Sequence, residues 1–117
     1  MLDAILQGLI ESVKGARAAI FLDEDGESIA QAGDLQADIR LQGAWKEIHL
    51  DRIKEITGRL GLGSVQAVLF SLDQGNELMV PVSKDYCLVL FLSAFADLRT
   101  AMEELEKTTE AIKKDIA

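Results

Sequence analysis

Four carboxylates crowd five consecutive positions: Asp23, Glu24, Asp25 and Glu27, with Gly26 between the last two. They follow directly on the five-residue apolar run 18–22, AAIFL. An apolar strand that delivers one aspartate at its end and a second two residues later can hold both at a single Mg²⁺. Asp23 could then attack phosphorus while Asp25 serves as acid and base. The same letters also spell a turn. Asp23, Glu24 and Asp25 favour a type I turn, and Gly26 can take the left-handed conformation that closes a short hairpin loop without a Cβ clash. Residues 28–32, SIAQA, would then leave as the second strand of a β-hairpin.

The run IFLDEDGESI resembles the opening motif of haloacid-dehalogenase-type phosphotransferases. Three features depart from that pattern. Glu27 replaces the hydroxyl residue that directly follows the glycine, and a second extended segment replaces the crossover helix. The other strands form a meander, which leaves no room for a parallel sheet. A Mg²⁺-dependent phosphotransferase using Asp23 and Asp25 is therefore the remote alternative. A calcium loop fits less well, because Gly26 occupies the fourth position where that motif needs its glycine at the sixth. His49, the single histidine, lacks a companion cysteine or histidine for a metal site and is expected at a surface or interface. Cys87, the single cysteine, sits inside YCLVLFL and is expected to be a small buried hydrophobe. Gly61-Leu62-Gly63 follows a helix and precedes a strand, the reverse of a phosphate cradle at a helix N-terminus. No catalytic residue, cofactor or metal is expected.

A chain of 117 residues, 49% apolar and with one proline, has the composition of a single ordered domain spanning residues 1–117. The net charge of -8 opposes a nucleic-acid backbone and an anionic membrane surface alike. The N-terminal segment has neither the basic start nor the cleavage site of a signal peptide, and no apolar run is long enough to span a bilayer, so a cytoplasmic protein is the expectation.

The elements that must position these residues follow from periodicity. Leu2, Ile5, Leu6, Leu9, Ile10 and Val13 line one face of a first helix, with Gly8 inside it. The run at 18–22 has no polar alternation and is expected as an inner strand, covered on both faces. A long helix is expected from about residue 39 or 41 to 60, with Gly61 as its C′ residue and Leu62 packing back on it. Its apolar residues, Leu41, Ala44, Trp45, Ile48, Leu50, Ile53, Ile56 and Leu60, spread over roughly 240° of the helical wheel. A stripe of little more than about 100° suffices against one sheet, so a second surface is expected to cover the rest. Arg52 and Arg59 project from within that arc, as snorkelling stems reaching Glu55 or solvent, or as interfacial charges. Three apolar segments, VQAVLFSL, ELMVPV and YCLVLFL, predict an antiparallel meander with the last strand central, the first outer, and an irregularity at Pro81. A final helix is expected from residue 93 or 94 to 116. Phe95, Leu98, Met102, Leu105, Thr109, Ile112 and Ile116 form its seam along the sheet.

This order, α-β-β-α-β-β-β-α, resembles the roadblock family of dynein light chains and bacterial regulators of Ras-like GTPases of the MglB type. The carriers are the hairpin AAIFLDEDGESIA, the long helix ending LGLG, and the strands ELMVPV and YCLVLFL followed by a helix. The resemblance implies an α+β fold with a single five-stranded antiparallel sheet between helical layers. It also implies a homodimer through the long helix and the third strand, which would place Leu41, Ala44, Trp45, Ile48, Arg52, Ile53, Ile56, Val65, Ala67 and Leu69 at the interface. The implied partner is a small Ras-like GTPase with its bound guanine nucleotide, whose cycle the protein would modulate without catalysis of its own. Asp23, Glu24, Asp25 and Arg59 are the candidate contacts. A purely structural subunit of the light-chain type is the alternative.

Overall fold

The computed structural model describes residues 1–34 and 37–116, with side chains for all of these except 37–47. The elements run α1 (Leu2–Ser12), β1 (Ala16–Leu22), β2 (Ser28–Gly33), α2 (Ala37–Arg59), β3 (Val68–Leu72), β4 (Gly75–Ser83), β5 (Tyr86–Leu92) and α3 (Leu98–Ile116). The strands form one antiparallel sheet in the order β2-β1-β5-β4-β3. The expected fold class, strand number and antiparallel pairing are therefore all present.

Alternation along the strands divides the core into two layers. Ala19, Phe21, Leu88, Leu90 and Leu92 point to one face, where Leu6 and Leu9 of α1 and Leu105 and Ile112 of α3 cover them. Ala18, Ile20, Leu22, Met79, Cys87 and Val89 point to the other, where Leu50 of α2 packs. Because β1 and β5 are buried on both faces, they carry apolar residues at successive positions, and both are inner strands. Cys87 is fully buried among them, as its apolar setting predicts. Tyr86 stacks on Phe21 with ring centroids 5.3 Å apart.

The hairpin between β1 and β2 is closed by the expected turn. Gly26 N–H donates to the Asp23 carbonyl at 3.1 Å, and Gly26 has φ of +80°, the left-handed region that a side chain would disfavour. At the end of α2, Leu62 N–H donates to the Thr57 carbonyl and Gly61 N–H to the Gly58 carbonyl, the two bonds of a Schellman motif. Pro81 sits at a register shift in the β4–β5 ladder. It also lies beyond the end of β3, whose first pair is Val68 with Met79, so its missing donor falls where β4 has one neighbouring strand.

Four expectations are corrected. The final helix begins at Leu98, because Asp97 caps it: Asp97 accepts from Arg99 N–H at 3.1 Å and from the Thr100 hydroxyl at 2.9 Å. Residues 93–97 are thus a loop, and Phe95 is no part of the helical seam. Leu62 does not pack back but is 69% exposed. β3 starts at Val68, so Val65 and Ala67 precede the strand. The long helix begins two residues earlier than its apolar pattern, at Ala37.

Candidate interaction surface

Along α2, one face is satisfied by the sheet and another is not. Leu50 is fully buried and Ile53 half-buried, whereas Ile48, Ile56 and Leu60 are exposed. Taking 100° per residue from Leu50, Ile48 and Ile56 fall about 160° and 120° from it, on the flank turned away, while Leu60, just past the end of the helix, falls about 80° from it. Leu41, Ala44 and Trp45 lie outside the described residues. Arg52 is exposed, and Arg59 donates to Glu55 at 2.6 Å, so its guanidinium reaches the partner expected of a snorkelling side chain.

Next to this helix the sheet ends in β3, an edge strand of sequence VLFSL with neither a charge nor a proline to discourage pairing. Val68 and Phe70 pack on the α2-side core, which puts Leu72 on that face and Leu69 on the opposite one; both leucines are exposed. Val65 is half-buried against the α2-side layer, and Ala67 against the other. The sheet plane therefore splits the predicted set, with Ala67 and Leu69 on the side away from α2. Leu60, Leu62 and Leu72 are further exposed leucines outside that set; for Leu60 the signal was its place in the over-wide arc. The other edge of the sheet is treated differently. There the Asp3 carboxylate of α1 accepts from Gln31 N–H on β2 at 3.2 Å.

The acidic hairpin turn is a separate feature. Asp23 Oδ1 accepts from Asp25 N–H at 2.9 Å and from Glu27 N–H at 3.0 Å, so this carboxylate is engaged in holding the turn. The antiparallel strand that follows gives β1 no crossover helix. Asp85, in the turn between β4 and β5, raises the Glu24 carboxyl above its ordinary value, with Asp25 adding to the effect. Among the described residues no group of three His, Cys, Asp or Glu side chains could hold a metal ion. His49 is exposed on α2, its ring 6.4 Å from that of Phe70. Among the described residues no helix is long and apolar enough to cross a membrane.

A shallow cleft of about 400 Å³ lies between the C-terminal half of α2 and β4, lined by Lys54, Thr57, Ser64, Val65, Pro81 and Ser83. A second, of about 430 Å³, lies on the other side of the sheet, where α1 ends and α3 begins.

No protein-family model matches the sequence, and neither does any curated protein. Solved structures do match. A Roadblock/LC7 domain from Streptomyces avermitilis superposes with a TM-score of 0.90, at 21% identity over 97% of this chain and 96% of that one. MglB from Myxococcus xanthus gives 0.90 at 16% identity, covering 98% and 94%. An MglB described in a tetrameric arrangement gives 0.87, at 16% identity over 97% and 85%. MglC from Myxococcus xanthus gives 0.69 at 28% identity, covering 98% and 99%.

Proposed function

We propose that this chain, which has the roadblock/LC7 fold, is a homodimeric regulator that binds a small Ras-like GTPase and alters its nucleotide cycle. The observation that carries the dimer is the exposed apolar surface formed by Ile48, Ile56, Leu60 and Leu62 beside the unprotected edge strand β3. Exposed large apolar side chains gathered at one end of a helix are costly in water, and an uncharged edge strand offers a ready template for pairing. A two-fold contact would bring α2 and β3 of each copy against the same elements of the other. Leu41, Ala44, Trp45, Arg52, Ile53, Val65, Ala67 and Leu69 would belong to the same interface.

The GTPase partner is what the resemblance to roadblock regulators of the MglB type implies, and the fold that this chain shares with MglB supports that reading. Asp23 Oδ1 is engaged by the amides of the hairpin turn, and an antiparallel strand follows β1 where the phosphotransferase pattern has a crossover helix, which weighs against phosphoryl transfer by this chain. The protein would instead act by contact on its partner, with Asp23, Glu24, Asp25 and Arg59 as candidate contacts in the cytoplasm.

The test is to add the purified protein to Ras-like GTPases from the same genome. Single-turnover GTP hydrolysis and release of a fluorescent guanine nucleotide are then followed. A change in either rate, saturating with protein concentration, is expected. Tight binding with both rates unchanged would establish the structural-subunit alternative, and no binding to any of them would refute the GTPase reading.

A further inference from the structure

The cleft of about 400 Å³ between α2 and β4 exists because β3 stops short. At that end the β3–β4 ladder closes with the pair of Val68 and Met79, so Pro81 and Ser83 have no strand beside them on that side. The connection from α2 to β3 contributes Ser64 and Val65 to the cleft instead, and α2 contributes Lys54 and Thr57.

This lining carries one cation and no carboxylate, in a chain whose net charge is -8. Lys54 is half-buried, and among the described residues no carboxylate lies within ion-pairing distance of it. Glu55, its neighbour on the helix, is taken by Arg59. The ammonium therefore keeps three donors and no counter-charge. Three hydroxyls complete the polar lining. That of Thr57 donates to the Lys54 carbonyl at 3.1 Å, and those of Ser64 and Ser83 have no hydrogen-bond partner among the described residues. A helix C-terminus ordinarily repels an anion, because its last carbonyls are left unpaired. Here the carbonyls of Ile56, Thr57 and Gly58 accept from the N–H groups of Leu60, Leu62 and Gly61, which blunts that repulsion.

The donor set also selects among anions. An ammonium and hydroxyls on three separate segments suit a tetrahedral phosphoryl group, which accepts from several directions, whereas a carboxylate is matched best by the planar fork of a guanidinium. Val65 and Pro81 add apolar wall beside the polar groups, and none of the lining residues is aromatic, so nothing there stacks a base. We propose that this cleft binds the phosphoryl group of inorganic phosphate or of a small phosphate monoester, with Lys54 as the counter-charge and Ser64 and Ser83 as hydroxyl donors. The site lies within one chain and does not depend on the GTPase or on the α2–β3 contact.

Amide NMR spectra recorded during titration test the assignment, with inorganic phosphate, glycerol phosphate, acetate and sodium chloride compared at matched ionic strength. Phosphate should shift the amides of Lys54, Thr57, Ser64 and Ser83 along a saturating curve with a Kd on the order of 1 mM. Lys54→Met keeps the apolar stem and removes the charge, so it should weaken binding roughly tenfold or more. Ser83→Ala, at an exposed position, should weaken it a few-fold. Tighter binding of glycerol phosphate would support a monoester whose carbons lie on Val65 and Pro81, and equal binding would support inorganic phosphate. The same shifts are expected in Ile56→Glu, whatever the oligomeric state. Shifts absent from both proteins, reproduced by sodium chloride, matched by acetate, or unchanged in folded Lys54→Met overturn the proposal.

Discussion

Ile56→Glu is the most informative single substitution, because it separates the association of α2 from the stability of the fold. Ile56 is 56% exposed in the isolated chain. Fully burying such a side chain contributes about 1.5–3 kcal/mol, so covering its exposed part contributes about 0.8–1.7 kcal/mol per protomer. A two-fold interface uses each residue twice, which gives about 1.7–3.4 kcal/mol per dimer. At about 1.4 kcal/mol per tenfold, the dimer should weaken roughly 15- to 300-fold, and more once the glutamate must be desolvated. Analytical ultracentrifugation at about 10 μM should find wild type dimeric and the variant monomeric. The melting temperature supplies an independent check. Dimerisation makes it rise with protein concentration in wild type, and that dependence should vanish in Ile56→Glu. Leu50→Ala is the contrasting control: Leu50 is fully buried, so its truncation should cost about 2–5 kcal/mol of folding stability at any concentration. A monomeric wild type at about 100 μM, or an Ile56→Glu protein that sediments as wild type does, would refute the reasoning.

Two glycines should respond in opposite directions to alanine. Gly8 lies inside α1 with open space where an alanine methyl would stand, so Gly8→Ala should stabilise by about 0.5–1 kcal/mol in denaturant titration. Gly33 has φ of +93°, and a Cβ there would fall on the Arg17 carbonyl, so Gly33→Ala should destabilise by about 2 kcal/mol or more. Asp97→Ala should lower the melting temperature by removing the α3 cap. Because the folded-state pKa of Asp97 is lowered from 3.8, its stabilising effect is complete above that value and is lost as pH falls through the folded value. The gap between wild type and Asp97→Ala should therefore close in acid. Cys87, fully buried between β1 and β4, should resist a water-soluble thiol reagent in the native state and react at the rate of unfolding or local opening.

Much of this fold was legible because its inner strands are buried on both faces. AAIFL and YCLVLFL carry no polar alternation, and they pair with each other in the middle of the sheet. The acidic turn was legible for a local reason too: Asp23 and Gly26 have the side-chain acceptor and the backbone freedom that the turn uses. The misplaced start of α3 has the opposite cause. Phe95 and Leu98 stand at helical spacing, yet Asp97 accepts from the backbone N–H of Arg99, and a cap competes with the helix pattern wherever both are present. The apolar periodicity could place Phe95 in a seam; only the hydrogen bonds of residues 93–97 place it on a loop in water.

The same distinction bears on α2. An over-wide apolar arc says that a helix has too much greasy surface for one neighbour, without saying which part the neighbour takes. The sheet takes the flank of Leu50, and Ile48, Ile56 and Leu60 remain. Leu62 belongs with them for a different reason. Its N–H completes the Schellman motif, which the backbone alone requires, while its side chain is left mostly exposed. A leucine held in position by its backbone and left exposed by its side chain is more costly than one on a frayed end, since it has no freedom to withdraw from water. That residual cost, shared by neighbours on α2 and on the edge strand β3, is the free energy an association there would recover.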